Sequence, residues 1–107
     1  MADEIYTSRP KGRLDSSACP AFEAEVVSCL NAGNQRVLFD FSDLDYISSA
    51  GLRVVLMAAK RLKETGGRMV LCSLNDMIKE VFEVSGFDRI LDIEPDAESA
   101  RTRLAAS

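Results

Sequence analysis

Apolar residues in this chain fall into short unbroken runs and helical stripes, and the two patterns alternate. Residues 36–41 form an apolar run that does not alternate, which predicts a strand buried on both faces. Residues 68–73, Arg68-Met69-Val70-Leu71-Cys72-Ser73, predict a second buried strand. Helices are expected between the runs. Over residues 20–32, Phe22, Val26, Cys29 and Leu30 recur at i, i+4, i+7 and i+8, with Pro20 tolerated in the first turn and Gly33 as the stop. Glu23 and Glu25 read as complements to the positive end of that helix. Over residues 50–64, Leu52, Val55, Leu56, Ala59 and Leu62 make an inward stripe, with Arg53, Lys60, Arg61 and Lys63 largely outside it as a solvated face. Thr65-Gly66-Gly67 turns the chain. Asn75 or Asp76 caps a third helix carrying Ile78, Val81 and Phe82 on one face, and Gly86 closes it with Phe87 beyond. Residues 89–93 predict a short last strand, and Asp96 caps a helix whose Ala97, Ala100 and Leu104 share a face.

The remaining segments are weaker in pattern. Residues 5–9 allow a short strand, which Pro10 demotes to an edge or an irregular segment. Residues 12–17 read as a turn and residues 42–47 as a connection. Strands alternating with helices imply an α/β fold with a small, largely parallel or mixed β-sheet and about four α-helices. The whole of 1–107 is expected to be one domain, with 1–11 irregular or an edge strand and 12–107 the core.

Composition narrows the function. Hydrophobic residues make up 47% and charged residues 28%, values of an ordinary globular domain, and the longest apolar run is far short of a membrane span. The acidic start, Met1-Ala2-Asp3-Glu4, is unlike a secretion signal. A formal charge of −4 argues against a nucleic-acid partner. The three cysteines, Cys19, Cys29 and Cys72, are widely spaced with no CxxC pair, so reduced thiols in a cytoplasmic protein are expected, Cys29 and Cys72 as core residues. The chain contains no histidine, which removes the serine-histidine-acid triad and imidazole acid–base chemistry. No GxxxxGK[ST] loop is present either. A binding or regulatory module without cofactor or metal is favoured over an enzyme.

The chemistry concentrates at the join Ser48-Ser49-Ala50-Gly51, where the run 36–41 and its connection give way to the second helix. A serine there can cap the helix by accepting from its free N–H groups. It can equally carry a phosphate, which the same N–H groups and the helix dipole favour. Gly51 costs roughly 1 kcal/mol relative to alanine in a helix. Close approach of another backbone and tight packing on the preceding strand both account for it.

Four ordered motifs then resemble one family. Phe39-Asp40-Phe41-Ser42-Asp43-Leu44-Asp45-Tyr46-Ile47-Ser48-Ser49-Ala50-Gly51-Leu52 looks like the signature of STAS-domain anti-sigma factor antagonists. Gly12-Arg13-Leu14-Asp15 resembles their upstream turn, residues 64–72 their loop and strand after the central helix, and residues 81–87 their third helix and its ending. The resemblance covers about residues 12–100. It implies a partner switch. The unphosphorylated protein would bind an anti-sigma factor, a serine kinase with a histidine-kinase-like ATPase fold; phosphorylation would release it, and a metal-dependent serine phosphatase would reset it. By position relative to the motif glycine the acceptor would be Ser49. Some members have aspartate where Ser48 stands and serine where Ala50 stands, which makes Ser48 a secondary candidate. The implied partner surface comprises Asp15, Ser16, Asp43, Asp45, Tyr46, Ser48, Ala50, Gly51, Arg53, Val54 and Met57. The family usually has an apolar strand pair before its GxLD turn, whereas eleven residues including Pro10 precede it here. A missing or rudimentary first strand is therefore expected, with a monomer or a dimer through the uncovered sheet edge. A scaffold or transporter accessory without a phosphate cycle, and a switch acting on another target such as secretion, are the alternatives; a nucleotide-binding role has little support.

Overall fold

The computed structural model describes residues 4–106. Its elements run β1 (Tyr6–Ser8), β2 (Gly12–Leu14), α1 (Cys19–Asn31), β3 (Arg36–Asp40), β4 (Leu44–Ile47), α2 (Ser49–Glu64), β5 (Arg68–Cys72), α3 (Asp76–Ser85), a 3-10 turn (Phe87–Arg89), β6 (Asp92–Glu94) and α4 (Ala97–Ala105). Four strands form a sheet in the order β1-β3-β5-β6, and β2 with β4 form a separate pair. All these pairings are parallel, so of the sheet types left open by the pattern the parallel one is found.

The unbroken apolar run of β3 has a direct cause. Alternate strand residues face opposite sides, and both sides are covered. Val37, Phe39 and Phe41 pack with Phe22 and Val26 of α1, Val55 and Leu62 of α2, and Phe82 of α3. Leu38, Val70 and Cys72 pack on the other side against Ala100 and Leu104 of α4. Fully burying an aromatic or leucine side chain of this kind stabilises the fold by about 1.5–3 kcal/mol.

Several boundaries differ from the sequence expectation. The turn expected over residues 12–17 begins as strand β2, and the connection 42–47 contains strand β4. Both are too short for periodicity to reveal. Residues 87–89 form a 3-10 turn and Ile90 is exposed, so the last strand starts only at Asp92. The inward face of α2 includes Val54 and Ala58, while Leu56 and Ala59 are half-buried. Glu23 and Glu25 both lie beyond the first turn of α1, and Glu25 accepts from the Tyr6 hydroxyl (2.8 Å) and from the buried Ser8 hydroxyl (3.1 Å). It ties α1 to β1 rather than complementing the helix end.

The first strand is rudimentary, as expected. β1 has three residues, occupies the sheet edge beside β3, and is followed by Pro10. Polar links hold it. Besides Glu25, Arg9 donates to Asp40 at 2.8 and 3.1 Å, and Asp40 is buried at the end of β3. Burial pushes the Asp40 carboxyl up, but the Ser42 N–H and the Arg9 guanidinium outweigh it and hold the carboxyl below its ordinary value.

Candidate functional site

The β2–β4 pair builds the site. Leu14 lies opposite Ile47, and the Ser48 N–H donates to the Leu14 carbonyl at 2.9 Å. Parallel strands in register leave at the same end, so the turn after β2 and the start of α2 are neighbours. Each leads into a helix, β2 into α1 and β4 into α2.

At the start of α2 the two serines are placed differently. Ser48 has extended backbone (φ −85°, ψ 171°) and its Oγ accepts from the Gly51 N–H at 3.3 Å, which makes it the N-cap. It is half-buried, with the Cys19 Sγ 3.6 Å from its Oγ. Ser49 is the first helical residue and is exposed. The N–H groups of Ser49 and Ala50 lie in the first turn, where a helix has no carbonyl for them.

Gly51 is settled by packing. A Cβ at this position would sit 2.8 Å from Ile47 Cγ1 and 3.4 Å from Leu14 Cβ, so the glycine lets α2 lie close on β2 and β4. Of the residues expected on the partner face, Gly51 and Val54 are buried and therefore present little surface. Asp43, Asp45, Ser16 and Arg53 are exposed. Ala50 and Met57 are half-buried. Ala50, Arg53, Val54 and Met57 line one shallow surface cavity of about 300 Å³ with Glu23 of α1, so the structure joins four predicted residues and adds a fifth.

Asp15 faces its own turn. Its Oδ1 accepts from the Ser17 hydroxyl (2.7 Å) and from the N–H groups of Ser17 and Ala18 (3.1 Å each). The Ser17 hydroxyl bond, then the Ala18 N–H, keep its carboxyl below its ordinary value. This carboxylate shapes the lead-in to α1 beside Ser48. Tyr46 is half-buried with the Arg13 guanidinium 4.4 Å from its ring centroid, a cation–π contact.

Arg13, Glu23 and Asn75 also lie at the candidate site, a placement that the sequence pattern did not indicate. Arg13 belonged to a presumed turn, and Glu23 was read as a helix-end charge. Asn75 was foreseen only as a cap, yet its side chain also reaches β4.

A larger cavity of about 680 Å³ lies away from the serines, between α3, β6 and α4. Its Arg103 is engaged by Asp92 (2.9 Å) and Glu94, so its charge is already matched. Among the described residues no group of three or more Cys, Asp or Glu side chains is placed to hold a metal ion. No helix among them is long and apolar enough to cross a membrane.

Comparison with known proteins decides the family. The STAS domain family matches residues 2–100. The chain belongs to the STAS family. It is 46% identical over 96 residues to BtrV of Bordetella bronchiseptica, a candidate anti-sigma factor antagonist, covering 90% of this chain and 80% of BtrV. It is 26% identical over 87 residues to the anti-sigma-B factor antagonist of Bacillus subtilis, covering 81% of this chain and 79% of that one. Among solved structures, a candidate anti-sigma factor antagonist from Thermotoga maritima superposes with a TM-score of 0.89 at 25% identity, covering 94% of this chain and 86% of that one. Two of the four motifs, residues 12–15 and 39–52, meet at the site as β2 with its turn and as β3, β4 and the start of α2, whereas residues 64–72 and 81–87 belong to the end of α2 with β5 and to the second half of α3.

Proposed function

We propose that this STAS domain is an anti-sigma factor antagonist controlled by phosphorylation of Ser49. In its unphosphorylated form it binds an anti-sigma factor that is also a serine kinase with a histidine-kinase-like ATPase fold. Phosphorylation releases that partner, and a metal-dependent serine phosphatase restores the binding form. The domain acts by binding rather than catalysis.

The observation that carries this reading is the division of labour at the helix start. Ser48 is used as the cap, which leaves the Ser49 hydroxyl exposed on the first turn. In phosphoryl transfer the kinase supplies metal, phosphate grip and base, and the substrate supplies a reachable hydroxyl. A phosphate adds about −1.5 to −2 charges near neutral pH. Within the domain, first-turn N–H groups and the helix dipole accommodate it without refolding. For a docked partner the exposed Asp43 and Asp45 lie close by, and a new charge buried at the interface beside them is costly. About 3 kcal/mol lowers affinity more than a hundredfold, sufficient for release. The three buried free thiols accord with a reducing, cytoplasmic setting.

Calorimetric titration of the cognate anti-sigma factor kinase tests the reading. Ser49→Ala should bind within a few-fold of the parent and Ser49→Asp at least about tenfold more weakly, since a carboxylate carries part of the phosphate's charge. Equal binding by all three proteins would reject control at this residue.

A further inference from the structure

The segment that brings Asp43, Asp45 and Tyr46 to the surface is irregular. Gly12 of β2 pairs with Leu44, but the next residue, Arg13, pairs with Tyr46, so the register skips Asp45. A bulge leaves a residue outside the ladder and bends its strand, a device frequent beside functional sites. Among the described residues β4 has β2 as its one strand neighbour.

Asn75 makes up the deficit. Its Nδ2 donates to the carbonyls of Leu44 (3.1 Å) and Asp45 (3.4 Å), the residues flanking and forming the bulge. Its Oδ1 accepts from the Ile78 N–H at 2.8 Å and caps α3. One side chain therefore fixes the start of α3 and the irregular part of β4 to each other. The two functions use opposite ends of the amide, so they can be separated by substitution.

We infer that Asn75 is a positioning residue for the docking surface. It holds the bulge that presents Asp45, and through β4 it sets the approach to Ser48 and Ser49. This rests on the partner-binding reading above. Asparagine fits the task because it offers an acceptor and two donors on one short planar group. Serine and aspartate are equally good N-caps. A serine side chain is too short to span to the β4 carbonyls, and a carboxylate has no proton to give them.

The test uses Asn75→Ser and Asn75→Asp in the full chain, with amide hydrogen exchange at residues 45–47 and affinity for the cognate kinase as readouts. Both variants should retain the parent's helical circular dichroism. Exchange at 45–47 should accelerate, and affinity should fall about fivefold to tenfold for Asn75→Ser, the scale of one or two lost hydrogen bonds. Asn75→Asp should lose more, because its carboxylate faces two carbonyls. Parental exchange rates in both variants would overturn the positioning role whatever the partner does. Faster exchange with parental affinity would overturn its link to docking. Failure of the parent itself to bind would instead reject the partner-switch reading, and the exchange comparison alone would then decide the role of Asn75.

Discussion

At the scale of single residues, the central distinction is between adjacent serines that composition cannot tell apart. Ser48 has its Oγ on the Gly51 N–H, and Ser49 has an exposed side chain one position later. Replacing an N-cap serine by alanine typically costs about 1 kcal/mol. Ser48→Ala should therefore lower stability by roughly that amount in urea denaturation, whereas Ser49→Ala should be within about 0.5 kcal/mol of the parent as an exposed substitution. Equal losses would mean that the cap is shared. Residue pattern alone left both serines able to cap or to carry phosphate, and only the family motif favoured Ser49. The extended backbone of Ser48 marks it as the cap, and its N–H is held by the Leu14 carbonyl, far away in sequence. Gly51 was ambiguous for the same reason: what its missing Cβ avoids is Ile47 and Leu14, neighbours made by packing.

At the scale of elements, long patterned segments were legible and short strands were not. All four helices appear within a residue or two of the periodicity, and the caps at Asn75, Gly86 and Asp96 are found in place. β2 and β4, three and four residues long, carry too few positions to show a period. Yet they bring the two helix starts together, so the site's geometry was less legible than the fold. The edge strand β1 shows how polar contacts compensate for a short element. Burial, then the Glu25 hydrogen bond and charge, push the Tyr6 hydroxyl up to about 12. An unfolded tyrosine ionises near 10. Below that pH the phenol is neutral in both states and its contribution is complete. Between pH 10 and 12 the unfolded chain loses the proton first, so stability falls as pH rises. Denaturation midpoints of the parent should drop more steeply across this window than those of Tyr6→Phe, which lacks the group. Parallel curves would show that β1 is not held through Tyr6.

At the scale of the whole molecule, two apolar clusters cover the two faces of a small sheet, and the candidate site stands at one end of it. Phe39 and Leu38 point to opposite faces and both are fully buried. A domain packed in this way has little room to refold on modification. In the proposed function, phosphorylation therefore acts through the surface, by adding charge where a partner would dock. Which hydroxyl receives the phosphate is then decisive. The most direct measurement is the intact mass of the parent, Ser48→Ala and Ser49→Ala after incubation with the cognate kinase and ATP. One added phosphate is expected on the parent and on Ser48→Ala, and none on Ser49→Ala. Phosphorylation of Ser49→Ala equal to that of the parent would contradict the assignment to Ser49.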